Sequence, residues 1–306
     1  MKTIFCGKII LIFLFVFVVS TKTYFSYAID HGYPMNIHNL IFHGLKDFTE
    51  IYLSDKDDPD TEIQSNYPPL KLKKQLPKGE NKEEFCEKIF FGNSKSNYYY
   101  IIKPRNFDPD KEYLLLIALH GYGGSANTFL RLWNVFRDES IIFIVPEAPY
   151  SVSQRKRKGY AWYPSEEVSE NERSKIRYQS EDYIISLVKQ LKNEFKCKET
   201  YLFGFSQGGA MTYTVGLKNQ ELFTGLIVWG CSLEKNFINP QYLTPGAQLR
   251  ILVLHGTADR RIPFKLGRDS FQQLKKKGFT IDFIEYNGGH NIPQAEVKKV
   301  KEWILK

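Results

Sequence analysis

The sequence predicts an α/β fold: a mostly parallel central sheet with an antiparallel N-terminal hairpin and helices on both faces. Three observations carry that expectation. Several short runs, Tyr113–Leu119 and Ile141–Val145 among them, are apolar at every position rather than at alternate ones, the pattern of strands covered on both sides. Segments of helical period separate these runs, so strands and helices alternate along the chain. Ahead of them, Ile89–Phe91 and Tyr98–Ile102 are aromatic-rich and β-branched and flank a polar turn sequence, the signature of a β-hairpin.

The first 84 residues have a different texture. Lys2 and Lys8 lead into an unbroken apolar run from Ile9 to Val19, which Ser20, Thr21 and Lys22 close. That run is short for a bilayer span, and Ser26-Tyr27-Ala28 places small residues where a signal peptidase reads. Residues 1–28 are therefore expected to be a cleaved export signal, giving a secreted or periplasmic protein. An uncleaved membrane anchor is the alternative. Residues 29–84 read as an N-terminal extension or linker, because Ser54–Asp60 and Pro68–Asn81 are charged, proline-bearing and nearly free of aromatics. His31, His38 and His43 lie in this region at spacings that share no helical or strand face, which favours surface histidines over a metal site.

The folded domain is expected over residues 85–306. After the hairpin, strands follow at Tyr113–Leu119, Ile141–Val145, Thr200–Phe203, Leu226–Trp229 and Ile251–Leu254, and the more polar Thr280–Tyr286 suits a position nearer an edge. Helices are expected at Ala126–Phe136, Ser180–Phe195, from Ala210 onward, Phe264–Lys277 and Gln294–Leu305. Ser180–Phe195 is the clearest, with Ile184, Leu187, Val188, Leu191 and Phe195 at helical spacing, Ser180 as cap, and Glu181 and Asp182 in the first turn. No internal repeat is evident.

Charge narrows the partners. The formal charge is +8, and removal of residues 1–28, which hold three lysines and no acidic residue, leaves +5. The basic runs Lys71–Lys74, Arg155–Lys158 and Lys275–Lys277 are far apart and read as solvated faces, so no nucleic-acid partner is expected. Beyond Cys6 the cysteines are Cys86, Cys197 and Cys231, with no CxxC. A metal knuckle is excluded and one disulfide at most could form.

The chemistry centres on Gly204-Phe205-Ser206-Gln207-Gly208, a G-x-S-x-G pattern between a strand and a helix start. A serine on such a turn faces the helix N-terminus, whose free N–H groups and positive dipole end suit a developing oxyanion. Its hydroxyl needs a base to take its proton, and histidine suits that task. The histidine in turn needs a carboxylate to fix its tautomer. Both follow in order, each just past a predicted strand: Asp259 after Ile251–Leu254 and His290 after Thr280–Tyr286. The glycine-rich loop His120-Gly-Tyr-Gly-Gly124 follows the strand ending at Leu119. Backbone N–H groups of Tyr122 and Gln207 are the expected oxyanion donors. His120 and His255 are read as structural residues.

The motifs LHGYGG, GFSQGG, LHGTADRRIP and GGH, with Ala161-Trp162-Tyr163-Pro164 between the first two, resemble the phospholipase/carboxylesterase family of α/β-hydrolases, to which acyl-protein thioesterases belong. The resemblance covers roughly residues 95–306. It implies the α/β-hydrolase fold, Ser206 as nucleophile, Asp259 as acid, His290 as base, and oxyanion donors on Tyr122 and Gln207. It also implies a monomer or homodimer, without a cofactor, that cleaves esters or thioesters of small or fatty acyl groups, membrane-surface substrates among them. The stretch before the glycine-rich loop, with Lys103-Pro104, also resembles secreted polyhydroxybutyrate-depolymerase and feruloyl-esterase-like hydrolases. The expected function is thus an exported serine carboxylesterase or lysophospholipase-type enzyme, with an acyl thioesterase or a feruloyl- or polyhydroxybutyrate-type esterase as the alternative. The aromatic-rich Gly159–Tyr163 is expected to line the acyl pocket. A binding protein on the same fold is the rival from another class.

Overall fold

The computed structural model describes residues 86–91, 97–137, 140–154, 157–164, 168–234, 237–246 and 248–306, all within the unit Asp60–Lys306. The export signal and the extension expected over residues 1–84 lie outside the described residues.

Eight strands form one sheet. They are β1 (Cys86–Phe90), β2 (Tyr98–Ile102), β3 (Tyr113–Leu119), β4 (Ile141–Pro146), β7 (Cys197–Phe205), β8 (Gly225–Trp229), β9 (Arg250–Gly256) and β10 (Thr280–Tyr286), in the spatial order β1-β2-β4-β3-β7-β8-β9-β10. β1 pairs with β2 and β2 with β4 in antiparallel fashion, and every later pairing is parallel. The more polar β10 is an edge strand, as its sequence suggested.

β3 explains why the sheet needs cover on both faces. All seven of its residues are buried. Leu115, Ile117 and Leu119 join one apolar cluster, with Ile184, Leu187, Met211 and Leu274, while Leu114, Leu116 and Ala118 join the other, with Trp133, Phe136, Val297 and Ile304. Strand side chains alternate between faces, so an all-apolar strand demands helices above and below. α3 (Glu170–Glu194), α4 (Gln207–Lys218) and α5 (Phe264–Lys276) supply the first cover, and α2 (Trp133–Phe136) and α6 (Gln294–Ile304) the second. Each leucine or isoleucine buried there contributes roughly 1.5–3 kcal/mol relative to exposure.

Three features differ from the sequence expectation. The helix expected from Ser180 starts at Glu170, where Ser169 and Glu172 form a reciprocal capping box. Its first turns are polar, so apolar periodicity could not reveal them, and the cap alone is worth about 1 kcal/mol. Ser180 is fully buried mid-helix, and its hydroxyl donates to Trp162 O at 2.5 Å. The segment expected as one helix at Ala126–Phe136 is instead α1 (Ala126–Phe129), a 3₁₀ turn at Leu130–Leu132, and α2. A second, two-stranded sheet, β5 (Tyr150–Gln154) with β6 (Arg157–Ala161), was not foreseen. Cys86, Cys197 and Cys231 are all free thiols.

Candidate active site

Ser206 stands between β7 and α4. It has φ 54° and ψ −118°, the one non-glycine residue with positive φ among the described residues. Such backbone persists only where its surroundings over-determine it. Ser206 N donates to Trp229 O at 2.9 Å, and Ala210 N donates to Ser206 O at 3.0 Å. The flanking glycines leave the room this turn needs. A Cβ on Gly204 would run into the Gly208 carbonyl, and one on Gly208 into the Leu119 carbonyl.

The structure brings Ser206, His290 and Asp259 together from the ends of β7, β10 and β9. His290 Nε2 lies 2.9 Å from Ser206 Oγ, and His290 Nδ1 lies 2.7 Å from Asp259 Oδ2. A carboxylate only accepts, so Nδ1 carries the ring proton and Nε2 presents its lone pair to the serine hydroxyl. Asp259 is held from behind, since its Oδ1 accepts from Arg261 N and Ile262 N, both at 2.9 Å. His255 Nε2 adds a contact to Asp259 Oδ2 at 3.4 Å. The His290 ring packs 4.8 Å from the Phe205 ring, and both Asp259 and His290 are buried. Tyr286 fixes the loop that carries the base: its hydroxyl donates to Asn291 O at 2.7 Å and accepts from Trp229 Nε1 at 2.9 Å.

On the other side of Ser206 lies the loop His120–Gly124. A Cβ on Gly121 would sit 3.2 Å from Ser206 Cβ, so this loop lies directly against the serine. The unforeseen hairpin docks on it, Gly123 N donating to Tyr160 O at 2.8 Å and Tyr160 N to Gly124 O at 2.9 Å. Next along the chain, Trp162 is fully buried, and its ring Nε1 donates to His120 O at 2.8 Å. The Gln207 side chain completes the clamp: Oε1 accepts from Trp162 N at 2.9 Å, and Nε2 donates to Tyr163 O at 2.7 Å. The segment expected to line an acyl pocket therefore ties the His120–Gly124 loop to the start of α4, with Trp162 buried between them.

His120 and His255 are structural, as expected. His255 is fully buried, with Nε2 2.8 Å from Ile262 O, and burial lowers its pKa. Cys231 lies close to this region but is no competing nucleophile. Its burial pushes the thiol pKa up, and its sulfur donates to Ser232 O. The contacts of Tyr286 and of the Gln207 side chain were not foreseen, because their partners are distant or backbone atoms that no local pattern announces.

Comparison with known proteins places the chain in a family. A family profile described as phospholipase/carboxylesterase matches residues 101–306. Acyl-protein thioesterase 1 of Emericella nidulans is 27% identical over 213 residues, 62% of this chain and 88% of its own. A probable carboxylesterase of Oryza sativa subsp. japonica is 30% identical over 123 residues, 38% of this chain and 44% of its own. Among solved structures, esterase PE8 superposes with a TM-score of 0.55 at 21% identity, covering 67% of this chain and 96% of its own. Zea mays acyl-protein thioesterase 2 gives 0.54 at 20% identity, covering 68% and 97%. These structural likenesses establish the α/β-hydrolase fold. With the family profile spanning most of the chain, this protein belongs to the phospholipase/carboxylesterase family of α/β-hydrolases.

Proposed function

We propose that this protein is a serine hydrolase that cleaves carboxylic esters through an acyl-enzyme, with Ser206 as nucleophile, His290 as general base and acid, and Asp259 as the residue that orients His290. The observation that carries the reading is the pair of hydrogen bonds from one imidazole, 2.9 Å to Ser206 Oγ and 2.7 Å to Asp259 Oδ2. In the forward step Oγ bonds to the ester carbonyl carbon while its proton passes to His290 Nε2. The carbonyl oxygen takes the negative charge and is received by the N–H groups of Tyr122 and Gln207. Collapse expels the alcohol, which takes the proton from His290. Water then gives its proton to Nε2, attacks the acyl carbon and releases the acid, restoring Ser206.

A thioester fits the same constellation, because a thiolate leaves with less help from the general acid. We extend the proposal to location: the apolar run Ile9–Val19 and the small residues at Ser26 and Ala28 support an exported enzyme acting on small-molecule or lipid esters. The test is hydrolysis of p-nitrophenyl esters and matched thioesters of increasing acyl length, alongside fluorophosphonate labelling. Ser206→Ala is expected to lower kcat by at least about three orders of magnitude and to abolish labelling. Purified protein that neither turns over any of these substrates nor labels at Ser206 would leave a binding protein as the better reading. N-terminal sequencing of the expressed protein tests export, with a mature start near residue 29 expected.

A further inference from the structure

We propose that Glu147, acting through His120, is a positioning residue for the oxyanion loop, a role that rests on the acyl-transfer reading above. His120 follows β3, Glu147 follows β4, and their side chains are 1% and 2% exposed. Both ring nitrogens of His120 face oxygens. Nδ1 lies 2.8 Å from Gly121 O, and Nε2 lies 2.7 Å from Glu147 Oε1. A carbonyl oxygen has no proton to give, so Nδ1 donates to it. Two bare lone pairs do not meet at the second distance, so a proton lies in that contact. Ala148 N also donates to Nε2, at 3.2 Å.

The consequence is geometric. The Gly121 carbonyl and the Tyr122 N–H belong to one planar, trans peptide and point in opposite directions. Holding the carbonyl on His120 therefore fixes the direction of the N–H that the proposed mechanism uses. A carbonyl polarised by a hydrogen bond from the ring also makes its own peptide N–H a better donor. Glu147 is itself anchored on several sides. Oε1 accepts from Ala126 N at 2.9 Å, Oε2 accepts from Tyr98 Oη at 3.1 Å, and Glu147 N donates to Tyr98 O at 3.0 Å. The other ionisable groups facing it are Lys88 of β1, whose ammonium lies 3.6 Å over the Tyr98 ring, and Tyr183 of α3, which donates to Tyr98 O. One carboxylate thus ties β2 and the start of α1 to the loop beside the nucleophile.

The test uses the full chain with Glu147→Gln, which keeps the shape but has no titrating carboxyl, and Glu147→Leu. For Glu147→Gln, kcat is expected to fall roughly tenfold to thirtyfold with KM within about twofold, less than the loss of a whole oxyanion donor. A trifluoromethyl ketone, whose serine adduct carries the oxyanion, should weaken by the same factor as kcat/KM. Glu147→Gln carries the test alone where the leucine variant does not fold. Folded variants with wild-type kcat and inhibitor affinity would overturn this role alone. A wild type inert to esters and fluorophosphonate would sink the acyl-transfer reading and this role with it.

Discussion

Ser206 stands between two halves built on opposite principles. On one side, Asp259 and His290 are held mainly by near neighbours in sequence. Asp259 accepts from Arg261 N and Ile262 N, and the His290 loop is pinned by Tyr286 only a few residues before it. On the other side, the loop and helix start proposed to receive the oxyanion are held by residues far away in sequence. Trp162 reaches His120 O, Gln207 reaches Trp162 and Tyr163, and Glu147 reaches Ala126 N. A loop that closes on itself can be placed by its own sequence, whereas a clamp exists only once the strands that bring its parts together have paired. The acid–base half should therefore control whether the chemistry proceeds at all, and the clamp should tune how well developing charge is received.

The sharpest break of that comparison lies in the acid–base half. Asp259→Asn keeps the size of the side chain but presents an amide where His290 needs an acceptor, which favours the tautomer with the proton on Nε2, facing Ser206 Oγ. A fall in kcat of about three to four orders of magnitude is expected, with KM little changed. Steady-state kinetics on a p-nitrophenyl ester measure it. A loss of less than about tenfold would mean that His290 is oriented by something other than the 2.7 Å bond to Asp259.

The same contrast decides what could be read from the sequence. β3, β4 and the G-x-S-x-G turn were legible because each announces itself within a few residues: a run apolar on both faces, or glycines spaced around a serine. Asp259 and His290 were legible from order and from their place just past a strand. The early start of α3 was hidden, since Glu170–Arg177 offers polar residues and a capping box instead of apolar period. The β5–β6 hairpin was hidden too, because Tyr150–Ala161 mixes serines, lysines and aromatics without clean alternation, and its strand character comes from pairing and from docking on the Gly123–Gly124 backbone. Trp162 could be noticed as a motif residue, but that its ring holds His120 O is a fact of the fold.

A smaller effect is expected from opening the clamp. Gln207→Ala leaves the backbone N–H in place but removes both side-chain bonds, leaving Trp162 N and Tyr163 O without their partners. Each buried polar group left unsatisfied costs about 1–3 kcal/mol, so both stability and loop placement should suffer. We expect kcat to fall roughly tenfold to a hundredfold, Tm to drop, and Ser206 still to label with fluorophosphonate, only more slowly. Gln207→Glu is the control: its carboxylate can accept from Trp162 N but cannot donate to Tyr163 O, so it should recover part of the loss. Wild-type turnover in Gln207→Ala would show the two oxyanion elements to be set independently, and the contrast between the two halves would fail.

The smallest effect concerns stability rather than rate, and it returns to the acid–base half. His255 is fully buried, its Nε2 faces Ile262 O, its Nδ1 has no hydrogen-bond partner among the described residues, and burial lowers its pKa from the ordinary 6.5. Below that value the unfolded chain takes up a proton on this histidine, while the folded chain does not until a lower pH. More protons are then bound in the unfolded state, so this contribution to stability is whole above about pH 6.5 and declines as the pH falls toward the folded pKa. His255→Gln retains a donor for Ile262 O and has no proton to gain. Its own packing defect shifts Tm at every pH, so the quantity to compare is the slope. Thermal melts from pH 8 to pH 5 should show wild type losing Tm more steeply below 6.5 than the variant. Parallel slopes would mean that His255 takes up its proton as readily in the folded loop as in the unfolded chain.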